Sequence, residues 1–245
     1  TRLRCDWSSD VCSSDLDLSM RAEINEGPGL QYVTVVPDDY TPDSSYPLVI
    51  MLHGFGANMQ DLAGLAPAIS ADGYVYACPN APIPFQLGPG QTGFGWLTPR
   101  GGGTAEETAN SEKLLGDFFD TVFQQFNVSP GNAVLMGFSQ GGGMTYRCGL
   151  GRADKFAGLA ALSATLPDED DLAARLPAER TQPIFIAHGL FDQMVSEDTA
   201  QSAKSFLESN GYTPEFHTYN MGHEISGEEL GDLVPWVARV LSPQA

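Results

Sequence analysis

The sequence predicts a doubly wound α/β domain, its sheet mostly parallel with helices on both faces, and three observations carry that expectation. Short, near-continuous apolar runs alternate with amphipathic helical patterns, as a parallel sheet covered on both faces requires. No internal repeat or linker breaks the alternation, and 245 residues suffice to bury one large core. Hydrophobic residues make up 42% and charged residues 18%, a balance that excludes a disordered chain. Residues 17–245 are therefore expected to form a single domain.

Residues 1–16 stand outside this pattern. They carry Cys5, Trp7 and Cys12 but neither apolar periodicity nor the apolar run of a signal peptide. From Asp6 to Leu16 the block resembles one reading frame of a sequencing adapter, so a non-native or disordered leader is expected. Strands follow at Gln31–Val36, Leu48–Leu52, Tyr74–Cys78, Ala133–Gly137, Gly158–Leu162, Ile184–Ala187 and Glu215–Tyr219. Thr104–Glu107 reads as a capping box opening a long helix through Leu115, Phe118, Phe119 and Val122. Ser226–Glu229 reads as a second, leading into Leu230, Leu233 and Val237, with Pro235 predicting a kink or a late start.

Charge removes several function classes. A net charge of −19, with only Lys113, Lys155 and Lys204 as lysines, leaves no basic patch for nucleic acid or an anionic membrane. No run of about eighteen apolar residues exists to span a membrane. Cys78 and Cys148 lie in apolar surroundings, as reduced thiols of a cytoplasmic protein would. No Cys/His cluster has metal-ligand spacing, so neither a metal nor another cofactor is expected. Gly88–Gly93 spells G-x-G-x-x-G, but it sits in a Pro/Gly-rich loop that opens no helix, so a dinucleotide site is not expected.

One motif carries chemistry. Asn132–Gly143 is an apolar strand running into Gly137–Phe138–Ser139–Gln140–Gly141 and then a helical stretch. A turn this sharp strains the serine backbone, exposes Oγ and aims the positive end of the next helix at an oxyanion. A serine hydroxyl needs a base to take its proton, and the base needs an orienting acid. In chain order nucleophile, acid, base, the residues that end later strands are Asp192 and His223. His217 lies inside a strand, while His188 and His53 sit where they would brace loops. Asp168 and Asp198 fall on helices or in the wrong interval. His53–Gly54–Phe55–Gly56 resembles the oxyanion loop of esterases, which assigns the oxyanion donors to the backbone N–H groups of Phe55 and Gln140.

Four segments together resemble the phospholipase/carboxylesterase family of α/β-hydrolases, to which acyl-protein thioesterases also belong. They are Leu48–Gly56, Gly137–Gly142, His188–Asp192 and Tyr219–Ile225, in the family's order, and the resemblance covers about residues 30–241. It implies an α/β-hydrolase sheet without a large lid, and hydrolysis of carboxylic esters or thioesters through an acyl-enzyme. Gly93–Leu97 resembles the family's loop bordering the acyl pocket, which makes Trp96, Phe94, Phe85 and Leu87 the candidate substrate-binding residues. Ser196 follows Val195 where the family commonly has proline, a departure beside the acid. The expected function is a serine carboxylesterase for short-to-medium acyl esters, with a small acyl ester as partner and a homodimer left open. The alternatives are an acyl-protein thioesterase and, more remotely, a non-catalytic ligand-binding protein on the same fold.

Overall fold

Period-two alternation within the apolar runs builds this architecture. A computed structural model describes residues 20–70, 72–99 and 103–243; the leader expected at 1–16 and two glycines at 101–102 lie outside the described residues. The first half of the chain forms β1 (Met20–Glu26), β2 (Gln31–Pro37), β3 (Leu48–Leu52), α1 (Met59–Ala63), α2 (Ala66–Ile69), β4 (Val75–Pro79), β5 (Ile83–Gly88), β6 (Gln91–Gly95) and α3 (Ala105–Gln125). The second half forms β7 (Ala133–Phe138), α4 (Gln140–Gly149), β8 (Gly158–Leu162), α5 (Glu169–Arg175), β9 (Ile184–Gly189), α6 (Glu197–Ser209), β10 (Glu215–Tyr219) and α7 (Gly227–Val240).

Eight strands make one sheet in the order β1-β2-β4-β3-β7-β8-β9-β10. The β1–β2 and β2–β4 pairs are antiparallel, and every pair from β4 to β10 is parallel. Leu48, Ile50 and Leu52 face one core with Leu135, Leu159 and Ile186, under α3, α4 and α6. The intervening Val49 and Met51 face the other with Val134, Phe185 and Ala187, under α1, α2 and α7. Both faces are thus covered, which is why these strands read as continuous apolar runs. The register pairs Leu52 with Gly137, Phe138 with Leu162, Leu162 with Ala187 and Gly189 with Tyr219, so five strands end along one edge.

Three strands differ from the sequence expectation. β1 was not expected because most of its side chains are exposed; backbone pairing with β2 along its whole length creates it. The Pro/Gly-rich stretch after β4 is the β5–β6 hairpin, and the G-x-G-x-x-G match forms its turn and returning strand. Gly90 supplies the left-handed residue there, with φ of 74°.

The two capping boxes also part company. Thr104 and Glu107 make both reciprocal bonds. At Ser226 only half forms: its Oγ accepts from the Glu229 N–H at 3.1 Å, but the Glu229 side chain does not reach back. That cap starts α7 at Gly227, so Pro235 does not delay the helix. Glu229 is instead fully buried, and neither of its carboxyl oxygens has a hydrogen-bond partner among the described residues. Burial pushes its pKa up to about 8, against a smaller opposing pull from the Ser226 bond.

The folded pKa lies above the ordinary 4.5, so the stability this group permits is complete below that pH and is lost as pH rises toward 8. The slope approaches about 1.4 kcal/mol per pH unit as an upper bound. We expect Glu229→Gln to melt near the wild-type temperature at pH 5 and several degrees above it at pH 8. A difference that stays constant between those pH values in parallel thermal melts would contradict a buried neutral acid.

Candidate active site

The turn between β7 and α4 holds Ser139 at φ 55° and ψ −119°, a conformation rare for any residue but glycine. Strain of this kind costs on the order of 1–3 kcal/mol and persists only where neighbours enforce it. Here they do. The Ser139 N–H donates to the Leu162 carbonyl at 2.8 Å, and its own carbonyl accepts from Gly143 N–H at 3.2 Å. The strand and helix approach so closely that a Cβ on Gly137 would enter the Gly141 carbonyl. A Cβ on Gly141 would enter the carbonyls of Leu52 and His53.

His223 reaches the serine from the loop after β10. Its Nε2 accepts from the Ser139 hydroxyl at 2.9 Å, and its Nδ1–H donates to Asp192 Oδ2 at 2.6 Å. The other Asp192 oxygen accepts from the N–H groups of Met194 at 2.8 Å and Val195 at 2.9 Å. Burial alone would raise this carboxyl's pKa. The Val195 amide, His223 and the Met194 amide outweigh burial and hold it below the usual carboxylate range. The acid and base loops are zipped together by Leu190 N–H to the Tyr219 carbonyl at 2.8 Å and Phe191 N–H to the Met221 carbonyl at 3.0 Å. The turn around Asp192 closes with Ser196, not proline, after Val195, because the carboxylate itself binds the turn's amides.

The other histidines do not reach Ser139. His53 is buried, donating from Nδ1–H to the Gly54 carbonyl at 2.7 Å and accepting at Nε2 from Ala81 N–H at 3.1 Å. Burial, opposed weakly by the Gly54 bond, pushes its pKa down to about 4, which suits a neutral brace. His188 is fully buried and donates from Nε2–H to the Val195 carbonyl at 3.0 Å, steadying the turn that carries the acid. His217 stays in β10, 3.1 Å from Glu215 Oε1, its ring stacked on Phe185.

Phe55 and Gln140 come to adjacent strand ends, and their N–H groups donate to no carbonyl among the described residues. Gly54 lies directly beside the nucleophile: a Cβ there would come within 3.3 Å of Ser139 Cβ. The β5–β6 hairpin covers the loop, with Gly56 N–H bonded to the Phe94 carbonyl and Phe94 N–H to the Ala57 carbonyl, both at 2.8 Å. Gly93 must be glycine here, because a side chain would meet the Gly56 carbonyl.

The four expected substrate-binding residues divide. Phe85 packs edge-on against Phe55 at 4.8 Å between ring centroids, and Leu87 is exposed above Gly56, whereas Phe94, paired with Pro84 and so on the other face of the hairpin from Phe85, is partly buried against the core. Trp96 does not join this surface. It is 0% exposed, and its indole N–H donates to the His53 carbonyl at 2.9 Å, so it braces the loop from within instead of walling an open pocket. Leu190, Phe191 and Met194 add exposed apolar surface around Asp192. Sequence reading treats Gln140 only as a backbone donor and misses its side chain, which bonds the backbone of Trp96 and Leu97. A polar side chain directly after the nucleophile was the one available signal.

Among the described residues, no group of three or more His, Cys, Asp or Glu could hold a metal ion, and no helix is long and apolar enough to cross a membrane. A family model described as phospholipase/carboxylesterase matches residues 39–241. The chain is 31% identical over 213 residues to the acyl-protein thioesterase 1 of Aspergillus fumigatus, covering 80% of this chain and 88% of that protein. It is similar to the crystal structure of Arabidopsis thaliana SOBER1, with a TM-score of 0.69 and 25% identity over 80% of this chain and 99% of that one. Esterase PE8 shares the fold at a TM-score of 0.72 and 24% identity, covering 82% of this chain and 95% of that one.

Proposed function

Because the chain belongs to the phospholipase/carboxylesterase family of α/β-hydrolases, we propose that it is a serine carboxylesterase cleaving short-to-medium acyl esters. The observation that carries this reading is the hydrogen-bonded chain from Ser139 through His223 to Asp192. His223 takes the hydroxyl proton as Ser139 Oγ attacks the acyl carbonyl, and Asp192 holds the imidazole and stabilises its cation. The amides of Phe55 and Gln140, with the N-terminus of α4 behind them, bind the oxyanion. As the tetrahedral species collapses, the bond to the alcohol breaks and His223 gives that alcohol its proton. Water then loses a proton to His223, attacks the acyl-enzyme and releases the acid, and Ser139 recovers its proton. No cofactor is needed in this scheme. Every participating group comes from one chain, so a homodimer would leave it unchanged. A cytoplasmic location belongs to the same reading, because Cys78 and Cys148 are free, buried thiols.

Acyl preference follows from the apolar surface beside the oxyanion loop. Phe55 of the oxyanion loop and Phe85 and Leu87 of the hairpin form a short patch, and each CH₂ buried against it is worth about 0.8 kcal/mol. Methylenes beyond the patch gain nothing. We therefore expect kcat/KM to rise from butyryl to octanoyl p-nitrophenyl esters and to fall for palmitoyl, with Leu87→Ala lowering the octanoyl value most. The A. fumigatus relative's name keeps a thioesterase as the second reading, since the same steps would release a thiol. A palmitoyl optimum, or a thioester cleaved far faster than its oxygen ester, would promote it.

A further inference from the structure

The sheet sets β3 and β7 side by side, but the loop carrying Phe55 leaves the ladder after Leu52 and returns to pairing only through Ala57 and Phe94. The Gln140 side chain bridges that gap. Its Oε1 accepts from the N–H of Trp96 at 2.7 Å and of Leu97 at 3.3 Å, and its Nε2 donates to the Leu97 carbonyl at 2.8 Å. Trp96 continues the chain with its indole N–H on the His53 carbonyl at 2.9 Å, while the Ser111 hydroxyl holds the Trp96 carbonyl at 2.6 Å. Beyond Phe55, the Gly56 N–H meets the Phe94 carbonyl. Residues 94–97 are thus tied to the loop on both sides of Phe55, and also to the residue that bears the second free amide.

We propose that the Gln140 side chain, acting through Trp96, is a positioning residue that sets the separation of the Phe55 and Gln140 amides at the oxyanion. This rests on the serine-hydrolase reading above. The geometry demands an amide: one acceptor serves two N–H groups, and one donor serves the carbonyl of the same Leu97. A carboxylate lacks the donor, and alanine lacks both. A transition-state donor acts only from the place where charge develops, so a shifted amide loses catalysis without losing substrate binding.

The test compares Gln140→Ala, Gln140→Glu and Trp96→Phe, the last removing the indole N–H while keeping a ring. Rates are normalised to sites titrated with a fluorophosphonate, and each variant is inhibited with an alkylboronic acid, which forms a tetrahedral anion on serine. The expected result for Gln140→Ala is a loss of about 10–100-fold in kcat per titrated site, a boronate affinity weakened by a similar factor, and little change in KM. Gln140→Glu should fall with it, Trp96→Phe should lose less, and the double variant combining Gln140→Ala with Trp96→Phe should be no worse than Gln140→Ala because both act in one chain. If kcat per site and boronate affinity stay within about twofold of wild type while melting temperature falls, Gln140 is only a fold clamp and the proposal is overturned. Failure of the serine-hydrolase reading itself would show separately, as a wild type with no titratable site.

Discussion

We expect Ser139→Ala and His223→Ala each to lower kcat by about 10⁴-fold or more, with the residual rate coming from the oxyanion amides and substrate binding alone. The single removals are this costly because the groups act as one unit. His223 lies between the other two at 2.9 and 2.6 Å, so losing it leaves the nucleophile without a base and the acid without the imidazole it orients. Asp192→Asn costs as much or less, acting through the wrong imidazole tautomer: an amide donor would face Nδ1–H where a carboxylate accepts it. Purified variants with wild-type circular dichroism and melting temperature give the comparison. A Ser139→Ala protein that kept most of its esterase rate would remove the serine from the mechanism.

Gly141→Ala and Gly137→Ala should abolish activity together with folding. In each case the added Cβ would overlap backbone carbonyls, which cannot swing aside as a side chain can. Relief would require moving α4 away from β3 and β7, and ordinary overpacking already costs about 1–3 kcal/mol against a total stability of roughly 5–15 kcal/mol. The same substitution on an open helix face has the opposite sign. At Gly116 in α3 a Cβ would meet nothing within 4 Å, so Gly116→Ala should stabilise by about 0.5–1 kcal/mol. Urea unfolding of the three variants separates the two behaviours. An active Gly141→Ala enzyme would mean that the turn is not as tight as described.

The parallel core of the fold could be read from the chain because burial on both faces leaves a continuous apolar run, and Leu48–Leu52 and Gly158–Leu162 fall on strands residue for residue; Glu215–Tyr219 matches its edge strand as well, although only Tyr219 there is buried. The hydrogen-bonded residues of the candidate site were legible for a related reason: strand ends are marked by glycines and turn formers, and Ser139, Asp192 and His223 each lie within three residues after such a glycine. Backbone pairing writes no such pattern. β1 exists through its ladder to β2, and the β5–β6 hairpin is specified by close approaches such as Gly93 against Gly56, which composition reports only as a loop. Trp96 shows the remaining limit. An aromatic residue beside a predicted site looks the same whether it faces the ligand or props the loop behind it, and only its full burial and its bond to His53 distinguish the two.

In the proposed mechanism, catalysis passes through a covalent bond to Ser139. This is tested most directly by treating the wild-type enzyme with a fluorophosphonate and locating the adduct by peptide mass spectrometry while following p-nitrophenyl butyrate hydrolysis. We expect one phosphonyl group per active chain, on the peptide containing Ser139, with activity lost in proportion to labelling and no label on Ser139→Ala. Undiminished hydrolysis by a fully labelled Ser139, or complete inactivation with the adduct on another residue, would contradict it.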